Sequence, residues 1–163
     1  MPPLAPTGVR RPPRCTQNEG FAGAAAYNAR MLLVKTRIAP SAIHGIGIFA
    51  DEFIPKGTVI WEFTHGFDVY VTAEEIQTLP APAQAQMLKY CHREVDNGEY
   101  VLCADDARFF NHSEEPNTVD LPGPEGPTIA ARDITIGEEL TGDYWAFDAD
   151  AAFKLRTERP RRR

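Results

Sequence analysis

The sequence predicts a compact, mostly β fold, and three features of the chain favour it. Its β-type runs are short, turn signals separate them at close spacing, and helix signals are confined to a few places. With 163 residues, 43% of them hydrophobic, the chain can bury one sizeable core but not a second. We therefore expect one domain of small sheets with a short helical insert.

Three strands are expected before the insert. The first is the β-type run Leu32–Arg37, which ends ahead of the breaker Pro40-Ser41. The second follows a glycine-containing turn within Ile43–Phe49. The third follows the turn at Pro55–Gly57 and runs to Phe63.

Two helical segments make up the expected insert. Thr72 and Glu75 have the spacing of a capping box, in which each side chain accepts a hydrogen bond from the other residue's backbone N–H. This box predicts a helix that continues to about Leu79. Good helix formers, with apolar residues among them, predict a second helix over Ala83–Tyr90.

The remaining elements are short. We expect strands at Tyr100–Cys103, Thr128–Ala131 and Leu140-Thr141, and a last helix within Ala149–Leu155.

Both ends of the chain differ from its middle in composition and charge. Residues 1–30 are rich in Pro, Ala, Gly and Arg and show no period, which predicts a disordered basic leader. Residues 154–163 form an Arg-rich tail, so the folded domain is expected over residues 31–153. The leader carries a net charge of +3 and the tail +5, which leaves −14 on the domain out of −6 in total.

Charge and cysteine usage limit the partners. An acidic body argues against a nucleic-acid reader, which needs positive charge on its folded face. It favours a basic protein segment as partner, with solubility alone as the alternative. The chain has no apolar run of about eighteen residues, so we expect no membrane contact. Three cysteines without a close pair predict no disulfide framework and a reducing, cytoplasmic location.

One polar stretch, Arg108–Asn117, reads RFFNHSEEPN. Asn, Ser and the Pro-Asn pair form loops, because their short side chains bond their own backbone, and the two phenylalanines can anchor one end in a core. Such a loop commonly presents backbone amides to a ligand. A surface turn beside one buried strand end is the alternative interpretation.

This stretch resembles the signature of the SET-domain protein lysine methyltransferases, an Arg-Phe-aliphatic-Asn-His-Ser core followed by Pro-Asn. Two further motifs stand in the family's order. His44–Ala50 (HGIGIFA) resembles the glycine turn that opens the domain, and Ala131–Ile134 with Gly137–Tyr144 (GEELTGDY) resembles the closing motif. The resemblance covers Leu32 to about Phe147.

The resemblance implies small curled β-sheets, with the C-terminal segment threaded under the loop at Asn111–Ser113 in a knot-like crossing. It also implies a protein-lysine N-methyltransferase that uses S-adenosylmethionine. Methyl transfer is an in-line displacement, so the site must align the amine with the methyl group. A free lysine has a pKa of about 10.4, and an apolar channel beside the sulfonium lowers it by desolvation and charge repulsion.

Site residues follow from the matched motifs. Tyr144 is the candidate catalytic residue, its hydroxyl orienting the amine and the methyl; a core tyrosine with a satisfied hydroxyl is the alternative. Asn111 would meet the cofactor through its amide, and His112 mainly through its backbone rather than as a general base. For Arg108 a structural salt bridge competes with a cofactor contact. The cofactor-binding candidates are His44, Gly45, Gly47, Arg108, Asn111, His112, Tyr144, Trp145 and Phe147.

The chain also departs from the family pattern. Gly142 stands where the family usually carries Phe or Tyr in the lysine pocket, which opens volume there. Phe63 lies near the position of a channel tyrosine in the family. Gly142 and Phe63 are therefore the candidate substrate-binding residues. The family's cysteine-rich zinc segment is absent, so no metal is expected. Another lid must then cover the adenine, for which Trp145, Phe147 and Phe153 are candidates, with core packing as the alternative.

Two functions are compatible with these residues. The first is S-adenosylmethionine-dependent methyl transfer to a lysine in a basic protein segment, favoured by Asn111, His112 and Tyr144. The second is a catalytically weak binding module of the same fold, favoured by Gly142 and the missing zinc segment.

Overall fold

Two short strands begin the described part of the chain, which comprises residues 31–123 and 125–158 of the computed structural model. β1 (Thr36–Pro40) and β2 (Ile46–Ala50) pair antiparallel across a turn in which Gly45 has a φ of +51°. Glycine adopts positive φ without a Cβ clash, which explains its presence there. The predicted leader (residues 1–30) and residues 159–163 of the predicted tail lie outside the described residues.

The first strand lies later than Leu32–Arg37, so the bounds of that prediction are wrong. Leu32 forms a single bridge with Trp61, and the Leu33 N–H donates to the Ile60 carbonyl at 2.8 Å. The segment therefore pairs first with a different strand and reaches β2 only at Thr36. A β-type run specifies an extended backbone but not the strand with which it pairs.

Eight more strands follow, and most are short. The first four are β3 (Val59–Trp61), β4 (Val69–Val71), β5 (His92–Arg93) and β6 (Tyr100–Leu102). The last four are β7 (Asn111–His112), β8 (Thr118–Asp120), β9 (Thr128–Ala130) and β10 (Thr141–Gly142). They form two antiparallel three-stranded sheets, β3-β9-β8 and β4-β6-β5, and one parallel pair, β10-β7. The prediction of a mostly β fold of small sheets is confirmed.

Three α-helices of the described residues occupy predicted places, and a further short one, the third along the chain, was not predicted. In chain order they are α1 (Ala73–Thr78), α2 (Ala81–Tyr90), α3 (Tyr144–Phe147) and α4 (Ala151–Leu155). The capping box is present: the Glu75 N–H donates to Thr72 Oγ1 at 3.2 Å, and the Thr72 N–H donates to Glu75 Oε2 at 2.8 Å. α2 begins two residues earlier than predicted because proline is tolerated in the first turn of a helix. No helix within the described ranges is long and apolar enough to cross a membrane.

A core of aliphatic side chains lies between the N-terminal hairpin, β3 and the closing segment. Its fully buried members are Ile48, Ile54, Ile60, Ile134 and Leu140. A second cluster contains Trp61, Val101, Cys103 and Ala107, and Leu32 and Phe110 pack against both. Each fully buried aliphatic side chain contributes roughly 1.5–3 kcal/mol, so these contacts hold the small sheets together.

Candidate functional site

The parallel pair β7–β10 brings two sequence motifs side by side. Asn111 lies opposite Thr141 and His112 opposite Gly142, and the Ser113 N–H donates to the Gly142 carbonyl at 3.1 Å. The loop of the RFFNHSEEPN stretch therefore adjoins the closing motif. We call the segments 111–113, 117 and 138–142 the crossing.

Asn117 fixes the crossing from within, although sequence reasoning treated it only as a turn residue. Its side chain is almost fully buried. Oδ1 accepts from the Thr141 N–H at 2.8 Å, and Nδ2 donates to the Glu139 carbonyl at 2.8 Å. A buried amide that satisfies a strand's backbone groups acts as a substitute strand. A Pro-Asn pair is too common in turns to signal this role alone.

Asn111 holds the glycine turn with its side-chain amide. Nδ2 donates to Glu139 Oε1 at 2.8 Å and contacts the carbonyls of His44 at 3.1 Å and Ile46 at 3.2 Å. The two hydrogens of this NH₂ group are thus occupied by protein acceptors. Asn111 Oδ1 has no donor among the described residues, so it is the part of the side chain that can meet a ligand.

A residue without a side chain is needed at position 47, because the Glu139 carboxylate lies against it. A Cβ at this position would lie 2.2 Å from Glu139 Oε1, and Ser41 Oγ donates to Oε2 of the same carboxylate at 2.9 Å. The missing side chain thus makes room for a carboxylate of the protein. At Gly45, in contrast, a Cβ would meet no atom within 4 Å. The open side of the turn is at Gly45.

Glu138 and Glu139 point to opposite sides, as predicted. Glu138 pairs with Arg132 and accepts from the Thr135 N–H at 3.1 Å. These partners hold the pKa of Glu138 down at about 2, with the Arg132 guanidinium as the largest cause. The two carboxylates therefore do not form an acid–base pair.

His112 is a structural ring. Its Nδ1 accepts from the Tyr144 N–H at 3.2 Å, so in the neutral imidazole the proton sits on Nε2, 3.3 Å from Glu114 Oε1. The ring ties the loop to the start of α3. This geometry agrees with the prediction that His112 is not a general base.

Tyr144 directs its hydroxyl at the backbone of the same loop. The hydroxyl donates to the Phe110 carbonyl at 2.5 Å. Burial, with smaller contributions from Asp148 and Glu139, raises the pKa of Tyr144 to about 12, so the hydroxyl stays neutral. Its hydrogen is engaged, but Tyr144 Oη and Phe110 O together present two acceptors to a nitrogen.

A cavity of about 410 Å³ extends from Gly142. Its aromatic walls come from Trp61, Phe63, Tyr70, Phe110 and Phe147. The Phe63 and Tyr70 rings stack with centroids 4.7 Å apart. The two predicted substrate-binding residues, Phe63 and Gly142, therefore line one cavity. Sequence reasoning missed the other lining residues, because β3, β4, β6 and β8 each supply only one or two.

Phe147 occupies the space beside Gly142. Its Cε1 lies 3.5 Å from the position of a Cβ on Gly142, and its ring centroid is 5.7 Å from that of Tyr144. Its other ring contact is with His92, at 5.3 Å. We find Phe147 in the cavity wall, where its ring partly replaces the one that Gly142 lacks.

The other lid and cofactor candidates lie in different surroundings. Trp145 meets the His112 ring edge-on at 6.4 Å, and its buried indole N–H has no partner among the described residues. Phe153 is 73% exposed, which rules out core packing for it. Arg108 lies with its guanidinium 5.5 Å from the Phe109 ring centroid. Within the described ranges no carboxylate forms the salt bridge expected for Arg108.

The site thus has two sides. On one lie the open turn at Gly45 and Asn111 Oδ1. On the other, the aromatic cavity runs to Gly142, and the Tyr144 ring lies between His112 and the cavity-wall ring of Phe147. Among the residues that the structure describes, no group of three or more His, Cys, Asp or Glu could hold a metal ion.

Comparisons with known proteins agree with this geometry. The SET domain profile matches residues 45–145. The chain is 36% identical over 121 residues to a histone-lysine N-methyltransferase, H3 lysine-4 specific, from Chaetomium globosum, which covers 66% of this chain and 11% of that protein. It is 32% identical over 116 residues to the histone-lysine N-methyltransferase SETMAR from Rattus norvegicus, covering 61% of this chain and 36% of that one.

Solved structures show the same fold. A humanized mutant of Polycomb Repressive Complex 2 from Chaetomium thermophilum, bound to an inhibitor, superposes with a TM-score of 0.55 at 19% identity, over 74% of this chain and 16% of that one. The chain thus spans well under two thirds of these relatives' lengths. Since the profile covers residues 45–145, more than half of the sequence, the chain belongs to the SET-domain family.

Proposed function

We propose that the protein is an S-adenosylmethionine-dependent lysine N-methyltransferase that acts on a basic protein segment. One observation carries the proposal. The parallel register of β7 and β10 sets Gly142, at the end of the aromatic cavity, beside His112 and the face that opens at Gly45. A methyl donor bound on the open face and a lysine amine in the cavity would meet next to Tyr144.

The residues on the open face fit the cofactor. S-Adenosylmethionine carries a flat adenine with an exocyclic amine and a charged amino-acid end. Asn111 Oδ1 could accept from such an amine, and the indole N–H of Trp145 lacks an acceptor. A buried donor without a partner costs free energy until it is paired, which favours a ligand that supplies one. When bound, the cofactor supplies a methyl group on a sulfonium.

Tyr144 and the cavity would prepare the amine. The aromatic walls desolvate a lysine side chain, which lowers the pKa of its ammonium and favours the neutral form. The two acceptors, Tyr144 Oη and Phe110 O, can then take N–H hydrogen bonds and turn the nitrogen lone pair toward the cofactor face. This is catalysis by orientation, and a misplacement of about 1 Å can cost roughly 100-fold.

The charge distribution supports a basic substrate. Glu94, Asp96 and Glu125 line the cavity together with the aromatic residues. Residues 31–153 carry a net charge of −14. Such a field attracts lysine- and arginine-rich segments. The two related proteins are named as histone-lysine methyltransferases, and histones are basic.

Transfer of a labelled methyl group tests the proposal. The protein is incubated with labelled S-adenosylmethionine and core histones or other basic proteins, and incorporation into lysine is measured. Tyr144→Phe should lower kcat about 100-fold, because the amine loses one of its two acceptors. Tyr90→Phe is the matched control, since it removes a hydroxyl from a ring that packs on Phe109, whereas the Tyr144 hydroxyl donates to the Phe110 carbonyl.

Two outcomes would contradict the proposal. Equal rates for Tyr144→Phe and the unaltered protein would remove Tyr144 from the reaction. Binding of the cofactor without labelling of any protein would favour the second function, a binding module, which the open space at Gly142 already allows.

A further inference from the structure

One of the carboxylates that line the aromatic cavity, Asp120, lies on a strand that no motif covers. Asp120 is the last residue of β8 and lines the cavity with Thr118 and Thr128. Thr118 and Asp120 are two residues apart on one strand, so their side chains lie on the same face of the sheet. The carboxylate therefore shares its face with a residue that contacts the Gly142 end, since Thr118 Oγ1 lies 3.9 Å from the position of a Cβ on Gly142.

The hydrogen bonding of Asp120 is incomplete. Thr128 Oγ1 donates to Asp120 Oδ1 at 2.5 Å. Among the described residues, no donor reaches Oδ2. A carboxylate offers about four acceptor positions, and a partly buried one with a single neutral donor is poorly satisfied. Burial raises the pKa of Asp120, which reflects the same shortage of compensating partners.

The charged neighbours of Asp120 do not neutralise it. The charge interaction with His92 on β5 lowers the pKa of Asp120, and the interaction with Glu94 raises it. The His92 Nε2 atom is itself 3.1 Å from Glu94 Oε1, so any positive charge on this ring is shared with a second carboxylate. Among the residues that the structure describes, no Lys or Arg lines the cavity. The surroundings of Asp120 are therefore aromatic rings and further carboxylates.

Aromatic walls with one underpaired carboxylate suit a cationic nitrogen that carries N–H groups. The aromatic rings of Trp61, Phe63 and Tyr70 favour a cation beside them, and the carboxylate can accept its hydrogen bonds. A neutral ligand would gain only the apolar contact. An anion would be repelled by Asp120 and by Glu94, Asp96 and Glu125.

Position along β8 separates this carboxylate from the point of transfer. Thr118 is the residue of β8 near Gly142, and Asp120 lies two residues further along the strand. Two residues of a strand span about 7 Å, which sets the distance between their positions on β8. A carboxylate in direct contact with the amine would hold it protonated and oppose methyl transfer. At this separation it can attract a cation without fixing the proton on the reacting nitrogen.

We propose that Asp120 is a substrate-binding residue that accepts hydrogen bonds from a cationic side chain of the basic segment. The cation is either the target lysine as it enters the cavity or a neighbouring Lys or Arg of the same segment. This inference rests on the proposed function for its substrate class. It adds a specificity-determining residue that lies outside the three sequence motifs.

Binding measurements with two synthetic peptides test it. One peptide has a single lysine with neutral flanks, and the other has norleucine in place of that lysine with arginine flanks. Their Kd values are measured by calorimetry for the unaltered protein, Asp120→Asn and Asp51→Asn. Asp120→Asn should raise the Kd of at least one peptide about tenfold, because a hydrogen bond to a charged group is lost. The peptide that weakens identifies the cation.

Asp51→Asn is the matched control, because it removes the same charge at an exposed position outside the cavity lining. It should change both Kd values by less than about twofold. Equal Kd values for Asp120→Asn and the unaltered protein overturn the proposal, as does a failure of the unaltered protein to bind either peptide. Calorimetry does not depend on methyl transfer, so an inactive protein that still shows the Asp120 effect would contradict the proposed function alone.

Kinetics separate a substrate contact from a structural role. Asp120→Asn should raise KM about tenfold with kcat almost unchanged, since the carboxylate lies away from the transfer point. A fall in kcat with unchanged KM would mean that Asp120 only supports the fold around the cavity. The variant keeps an acceptor for Thr128 Oγ1, so folding should be preserved.

Discussion

The crossing and the cavity adjoin each other at Gly142, yet they are built in opposite ways. In the crossing, Asn111, Asn117 and Glu139 exchange hydrogen bonds that join three distant segments. In the cavity, aromatic rings make the walls and Asp120 keeps one oxygen without a donor from the described residues. In the crossing, the polar groups form hydrogen bonds with one another, whereas in the cavity some polar atoms remain available to a ligand.

This difference separates stability from recognition. A residue of the crossing has several protein partners, so its replacement should unfold the site before it changes what the site binds. A cavity residue has few such partners, so its replacement should change binding or product with a smaller effect on folding. Variants of the two regions test this division.

Gly47→Ala should have the largest effect on stability. The new Cβ would overlap Glu139 Oε1 at 2.2 Å and displace a carboxylate that holds Asn111 and Ser41. We expect a loss of about 3 kcal/mol in the free energy of unfolding, measured by urea denaturation.

A double-mutant cycle with Glu139→Ala checks the cause. Removing the carboxylate makes room for the methyl group, so the double variant should be at least about 1 kcal/mol more stable than additivity predicts. Gly45→Ala, with no atom within 4 Å of its Cβ, is the control and should show no such coupling. Additive losses for Gly47→Ala and Glu139→Ala would contradict the clash.

Gly142→Phe probes the boundary between the regions. Phe147 already lies 3.5 Å from the Cβ position, so a second ring should overpack the cavity and lower stability by about 2 kcal/mol. It should also shift the product toward fewer methyl groups, which mass spectrometry of the labelled lysine can measure. The double variant with Phe147→Ala should recover most of the stability. An unchanged product distribution in Gly142→Phe would separate Gly142 from the transfer point.

Glu138→Gln should give the smallest change, and one that depends on pH. The folded-state pKa of Glu138 is about 2, below its ordinary value of 4.5, so the unfolded chain binds its proton more readily. Its contribution is therefore complete above pH 4.5 and is lost as the pH falls to about 2. Arg132 is 53% exposed, so screening limits the contribution to about 1 kcal/mol.

Chemical denaturation at pH 7 and pH 3 measures this effect. The gap in stability between the unaltered protein and Glu138→Gln should narrow at the lower pH. Glu115→Gln, at an exposed residue whose side chain has no partner within the described ranges, should show no gap at either pH. A constant gap for Glu138→Gln would mean that the ion pair does not stabilise the crossing.

Sequence reasoning reached much of the crossing and little of the cavity, for a physical reason. Asn111 lies in the crossing, and Gly47 and Tyr144 contact it; all three stand in motifs because fixed contacts with other segments demand those residue types. Gly142 was found by its departure from the motif in which it stands, and Phe63 only by its place relative to a motif. Asp120 and Tyr70 come from strands whose neighbours along the chain say nothing of the cavity, since only pairing in space brings them together.

Some predictions failed for equally local reasons. The strand expected over Leu32–Arg37 shifted because pairing with two different strands divides it. Arg108 lies against the Phe109 ring rather than a carboxylate of the described residues. In each case the residue type was compatible with several partners, and the packing of distant segments decided between them.

The pairing of β7 with β10 also has a consequence for how the protein is made. The two strands lie thirty positions apart along the chain, and a contact of that separation forms only after its loop has closed. During synthesis, Asn111 and His112 must leave the ribosome well before Thr141 and Gly142 arrive to complete the pair. Both three-stranded sheets can assemble in the meantime, so the crossing should form after them in the nascent chain.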